Sequence, residues 1–132
     1  MKPQLLKDLE AAWQGDLDLL LSLYAPDCRF EDRALGISHH GHDGIREAFA
    51  TAFGLFPDFA VEYGDHLIGR EQGFARWAFT GTLHRLEEGI LRPLHPVRVQ
   101  GISAMTFDGK RIRTNTDFWN PQEIDRDAES ED

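Results

Sequence analysis

Pro57 divides this chain into two stretches with different periodicities, and that division limits the fold more than any other feature. Before it, apolar residues recur at helical spacing except in one short alternating stretch; after it, apolar and polar residues alternate between turn signals. Leu5, Leu6, Leu9, Ala12 and Trp13 predict an amphipathic helix over about residues 4–14. Gly15-Asp16 reads as a glycine C-cap followed by an aspartate N-cap. Leu19, Leu20, Leu23 and Tyr24 then form the apolar side of a second, short helix. Pro26 sets its own φ and pushes Ala25 out of the helical region, so that helix should stop near Tyr24. Cys28 and Phe30 alternate with Arg29 and Glu31 as in a half-buried strand, which delivers Asp32 at its end. A Gly- and His-rich loop follows from Gly36 to His42. Asp43 is expected to cap a third helix, which carries Ile45, Ala48, Phe49, Ala52, Phe53 and Phe56 and ends at Pro57.

The remainder reads as a sheet. Phe59 to Ile68 is one strand, Gly69 to Gly73 a hairpin loop, and Phe74 to His84 the next strand. Gly89, Pro93 and Pro96 suggest a looser connection. Val97 to Phe107 and Arg111 to Trp119 are joined by Asp108-Gly109-Lys110, a hairpin signal. Helices followed by a meander of long antiparallel strands make the class α+β. To hide its apolar face, so long a sheet must curve round the helices, which leaves a pocket between the two layers.

The chain has 132 residues and is 41% apolar, with nine Phe and three Trp, enough for one domain with a real core. The boundaries expected are 1–120 for the domain and 121–132 for an acidic, partly disordered tail. Six acids against Arg126 from Glu123 onward give that segment a net −5 of the chain's −9. This charge argues against a nucleic-acid partner. No apolar run approaches the ~20 residues of a membrane span. Met1-Lys2-Pro3-Gln4 shows no signal-peptide pattern, and the single Cys28 suits a reducing compartment, so the expected location is the cytoplasm.

Several groups could carry chemistry. Asp32 reads either as a turn residue or as a general base at a pocket mouth. His84 could exchange protons near neutrality or sit on the surface near a strand end. His39, His40 and His42 lack a partnered cysteine or carboxylate set, so no metal is expected. Strand alternation sends either Trp77 and Phe79 or Arg76 inward, and it sends at most one of Asp117 and Asn120 inward unless a bulge intervenes. Trp13 could stack on a ligand or belong to the core, and the stripe of Phe49, Phe53 and Phe56 reads as core.

Trp13-Gln14-Gly15-Asp16-Leu17-Asp18, Leu23-Tyr24-Ala25-Pro26-Asp27, Gly44-Ile45-Arg46, Phe56-Pro57-Asp58-Phe59, Phe79-Thr80-Gly81-Thr82 and Phe107-Asp108-Gly109-Lys110-Arg111-Ile112 occur in an order and spacing that resemble the SnoaL-like branch of the nuclear transport factor 2-like superfamily. The resemblance implies a cone-shaped α+β barrel, commonly a homodimer, with one open pocket for an apolar or polyketide-like molecule. The superfamily holds polyketide cyclases, ketosteroid isomerases, limonene epoxide hydrolases, dehydratases and pure binding proteins, so fold does not settle function. By this resemblance Asp32 stands at the base position of the isomerases, while Asp8 and Ser103 stand where their two oxyanion donors would be, which argues against steroid isomerisation. Asn120 falls where the cyclases carry an acid/base Asp. Asp117 resembles an aspartate of the epoxide hydrolases, whose Arg-x-Asp pair is here Arg76-Trp77-Ala78.

The expectation is therefore a protein that binds a small apolar molecule and performs proton-transfer chemistry of cyclase, isomerase or dehydratase type. A non-catalytic binding or dimeric interaction module is the alternative. Asp32, His84 and Asp117 are the catalytic candidates. Trp13, Tyr24, Phe53, Arg76, Ser103, Met105, Phe118 and Asn120 are the pocket candidates. No cofactor is expected, and a second copy is expected to dock through the sheet face.

Overall fold

The computed structural model describes residues 1–125. Three helices, α1 (Gln4–Ala12), α2 (Leu17–Leu23) and α3 (Gly41–Leu55), pack into the hollow of one six-stranded sheet. Its strands are β1 (Tyr24–Asp32), β2 (Ile37–His40), β3 (Ala60–Ile68), β4 (Gln72–Glu87), β5 (Ile90–Asp108) and β6 (Arg111–Trp119). The spatial order is β2-β1-β6-β5-β4-β3, so the curved sheet stays open between β2 and β3. All neighbours are antiparallel except β1 and β6, which run parallel. The class is the α+β one expected.

The helices form where the periodicity placed them. Leu6, Leu9 and Ala12 of α1, Leu20 of α2 and Ile45 of α3 are buried against Ala75, Val97, Val99, Met105 and Ile112 of the sheet. Gly15, at φ 118°, turns the chain, and the Asp16 carboxylate accepts from the Leu19 amide at 3.0 Å, capping α2. Glu10 ties α1 to the sheet: its Oε2 accepts from Lys2 Nζ at 2.6 Å and from the Tyr63 amide at 2.7 Å.

Three local expectations are corrected. The Gly- and His-rich stretch is not all loop, because Ile37–His40 pairs with β1 as an edge strand. Asp43 does not cap α3; the cap is His40, and Asp43 lies in the first turn paired with Arg46 at 2.7 Å. The stretch with Pro93 and Pro96 is no loose connection but part of β5. Pro96 pairs with Thr82, Pro93 with His84, and the register shifts between Leu83 and His84. The hairpin turns instead at Glu88 and Gly89, both at positive φ (51° and 81°).

Residues 121–125 turn back onto the sheet, where Ile124 O accepts from His95 Nε2 at 2.9 Å and Glu123 accepts from the Gln100 amide at 3.1 Å. The rest of the expected acidic tail, 126–132, lies outside the described residues.

Candidate functional site

A cavity of about 320 Å³ opens between α3 and the concave face of the sheet. Register explains its composition. One rung across β4, β5, β6 and β1 aligns Ala75, Ser103, Asp117 and Asp32. The next aligns Trp77, Gly101 and Trp119. The rung on the other side aligns Gly73, Met105, Asn115 and Phe30, with His39 beyond on β2. Alternation along each strand turns these rungs to the helices, so polar groups meet inside an aromatic wall.

Gly101 is what lets the rungs fit. A Cβ there would come within 2.4 Å of the Trp77 ring and 2.8 Å of the Phe118 carbonyl oxygen. The space left at 101 is taken by the Trp77 ring, whose Nε1 donates to Ser103 Oγ at 2.9 Å. Ser103 Oγ donates in turn to Asp117 Oδ1 at 2.5 Å, and Asn115 Nδ2 donates to the same oxygen at 2.8 Å. Oδ2 of Asp117 has no hydrogen-bond partner among the described residues. Asp32, opposite on β1, accepts from Trp119 Nε1 at 3.1 and 3.0 Å to its two oxygens and from the Leu35 amide at 3.0 Å.

Burial pushes Asp117 up to about 6; the Ser103 and Asn115 hydrogen bonds pull it down, and the Asp32 charge adds to the rise. Burial likewise pushes the Tyr24 and Tyr63 phenols up, and each also senses the charge of Asp117. Both line the cavity and stay protonated near neutral pH.

Of the residues singled out in the sequence, Asp32, Asp117, Trp13, Tyr24 and Ser103 line this cavity. The others do not. His84 lies at the outer end of β4, its Nδ1 bonded to the Thr82 carbonyl at 2.7 Å. Arg76 and Phe118 are on the convex face, where Arg76 stands 3.7 Å from Asp65, because Trp77 and Phe79 take the inward positions. Asn120 follows β6 and accepts from the Gln122 amide at 3.0 Å, so of the pair Asp117 and Asn120 it is Asp117 that faces in. Met105 is wholly core. Phe53 packs behind the wall, its ring tilted 4.6 Å from Phe49 and edge-on 5.8 Å from Phe59. Asp8, at the other supposed donor position, accepts only from Gln4 among the described residues.

The three histidines diverge: His42 Nε2 bonds the Tyr24 carbonyl at 2.9 Å, His40 is exposed, and His39 walls the cavity. Among the described residues no three His, Cys, Asp or Glu side chains gather as a metal would require. Sequence reasoning missed Trp119, Asn115 and Tyr63. The signal for Asn115 was its position two residues before Asp117, which puts both on one strand face.

Two of the motifs behind the resemblance meet beside the cavity, which their Phe56, Phe59 and Phe79 help to line. Asp58 accepts from the Thr82 amide at 2.7 Å and its hydroxyl at 2.9 Å, and Gly81 leaves room for Phe56. These residues join the α3–β3 turn to β4.

A model of the SnoaL-like domain matches residues 7–115. The chain belongs to the SnoaL-like family. Solved structures agree in fold. A hypothetical protein with a ketosteroid isomerase-like fold from Catenulispora acidiphila, in complex with trimethylamine, superposes with a TM-score of 0.83 at 18% identity, covering 98% of this chain and 95% of that one. IdmH, a candidate polyketide cyclase from Streptomyces antibioticus, gives 0.79 at 19% identity over 95% and 96% of the two chains. TsrD from Streptomyces laurentii gives 0.77 at 21% over 94% and 91%. A comparison with curated proteins found no match. In this SnoaL-like chain no helix among the described residues is long and apolar enough to cross a membrane.

Proposed function

We propose that this SnoaL-like protein binds a small apolar carbonyl compound in its cavity and moves a proton on it. The observation that carries the reading is the rung that pairs Asp32 with Asp117 across β1 and β6, both facing one aromatic hollow. Two carboxyl groups with unlike surroundings are a means of dividing acid from base work. Asp32, held by two N–H donors at the cavity mouth, is the proton acceptor. Asp117, half-occupied by protons at a pH of about 6, returns the proton. The neutral Tyr24 and Tyr63 phenols are the donors available to a developing oxyanion. His84 has no part in this scheme. The polyketide cyclase candidates among the structural neighbours support the class of chemistry, not the substrate.

Solvent deuterium uptake at carbon next to the carbonyl, followed by NMR over a set of small apolar ketones, reads the reaction directly. Asp32→Asn is expected to slow uptake roughly 10²–10⁴-fold with unfolding unchanged. An undiminished rate in that variant would remove Asp32 from the mechanism.

The same reading includes a homodimer through the convex sheet face. Phe74, Ile102 and Phe118 stand exposed there on neighbouring strands, an apolar patch of the kind that partners cover. Phe118→Glu should shift the mass measured by light scattering from dimer to monomer; a wild-type monomer at all concentrations would refute the interface.

A further inference from the structure

We infer that the carbonyl compound this cavity takes is also a cation, an apolar amine whose ammonium group lies against the aromatic wall facing Asp32 and Asp117. The inference rests on the reading of the cavity as a ligand site and adds the ligand's charge.

Buried or half-buried carboxylates are ordinarily paired with a cation. Here neither has one. No Lys or Arg lines the cavity among the described residues. The nearby arginines are engaged outside it: Arg29 and Arg33 each lie 3.8 Å from Glu31, and Arg76 lies against Asp65 on the convex face. The donors that do reach the pair, two indole N–H groups through Trp119 and the Trp77–Ser103 relay, an amide and a carboxamide, are all neutral. Asp117 keeps one oxygen without a partner among the described residues.

The surrounding wall suits the missing charge. Trp119, Trp77, Phe79, Phe59, Tyr63 and Trp13 present rings to the hollow. Ring faces attract cations, most strongly an alkylated ammonium, which is poorly hydrated and loses little on entering an apolar site. A neutral ketone gains the apolar burial alone; an amino ketone gains the burial and both charge interactions.

The groups facing Asp117 are Asp32 and Tyr24 from β1, Tyr63 from β3 and Ser103 from β5, with Asn115 on its own strand. His39 of β2 stands in the same wall, its Nδ1 3.5 Å from Glu47 and an ion pair only when protonated. From α3 the lining is Ala48, Thr51, Ala52 and Leu55, none of them charged. Acidification therefore removes negative charge at Asp117, and that change weakens a bound cation.

Isothermal titration of the full chain with two probes tests this: benzyltrimethylammonium, and tert-butyl phenyl carbinol as a neutral molecule of nearly the same shape. The cation should bind at least about tenfold more tightly at pH 7.5, a ratio typical of a desolvated cation–aromatic contact with charge assistance. Asp117→Asn should erase most of that preference while leaving carbinol affinity in place, and the carbinol titration shows that the variant still has its cavity. Lowering the pH to 5 should weaken the cation severalfold and leave the carbinol unmoved. Equal or tighter binding of the carbinol would overturn the amine inference and leave the proton-transfer reading standing. Failure of both probes to bind, with ketone exchange absent too, would overturn both.

Discussion

Asp58 and Asp117 receive nearly the same hydrogen bonds and respond in opposite directions. Each accepts from a hydroxyl and an N–H group: Thr82 Oγ1 and the Thr82 amide for Asp58, Ser103 Oγ and Asn115 Nδ2 for Asp117. Yet Asp58 is held below the usual carboxylate range, chiefly by the Thr82 amide, and Asp117 rises to about 6, chiefly through burial. The donors are matched, so the difference comes from solvent. Asp58 is exposed on a turn, where water supports its charge and hydrogen bonds add to that support. Asp117 stands in the aromatic hollow beside Asp32, where two good donors do not offset the loss of water. Proton affinity in this protein is thus set by where the sheet places a carboxyl group more than by what bonds to it.

Disturbing the hollow is the strongest way to break this contrast. Gly101→Ala puts a methyl group into the Trp77 ring and the Phe118 carbonyl, neither of which can yield without moving strand or core. Urea unfolding should show a loss of about 3 kcal/mol. A smaller effect is expected in the pH dependence of stability. The folded value of Asp117 is raised, so its contribution is full below about pH 4 and lost as pH rises through about 6. Asp58 is lowered, so its contribution is present above about pH 4 and lost as pH falls below it. Asp117→Asn should therefore remove roughly 2 kcal/mol of decline between pH 4 and 7, and Asp58→Asn should flatten only the acid limb. Identical pH profiles for the two variants would dissolve the comparison. Smallest is Ser103→Ala, which takes one donor from Asp117; NMR titration should find its proton affinity increased by a factor of about ten, or 1.4 kcal/mol. A decrease would mean that burial does not control this group.

The same contrast explains what could be read from the chain directly. Leu6, Leu9 and Ala12 announce a helix because a helix repeats every few residues, and Asp108-Gly109-Lys110 announces a turn through local chemistry. β2 was hidden because a four-residue edge strand between Gly36 and Gly41 has too few positions to show alternation. Pro93 and Pro96 argued against a strand, but their missing N–H groups are accommodated near a register shift in the outer part of the hairpin. Asp32 was legible as a cavity residue because the end of a strand is a local property. The inward positions of Trp77 and Asp117, the outward ones of Arg76 and Phe118, and the partnership of Trp119 with Asp32 depend on register across strands distant in sequence, which no local pattern carries.

β6 lies in the middle of the sheet, between β1 near the start of the chain and β5, and Trp119 reaches Asp32 across 87 residues. On a ribosome, β1 emerges long before the strand that must lie beside it. Until residues 111–119 arrive, β1 and β5 lack the strand that pairs with both of them, and the two aspartates cannot meet. The pairing of the two aspartates is therefore withheld from any product of translation that stops short of β6.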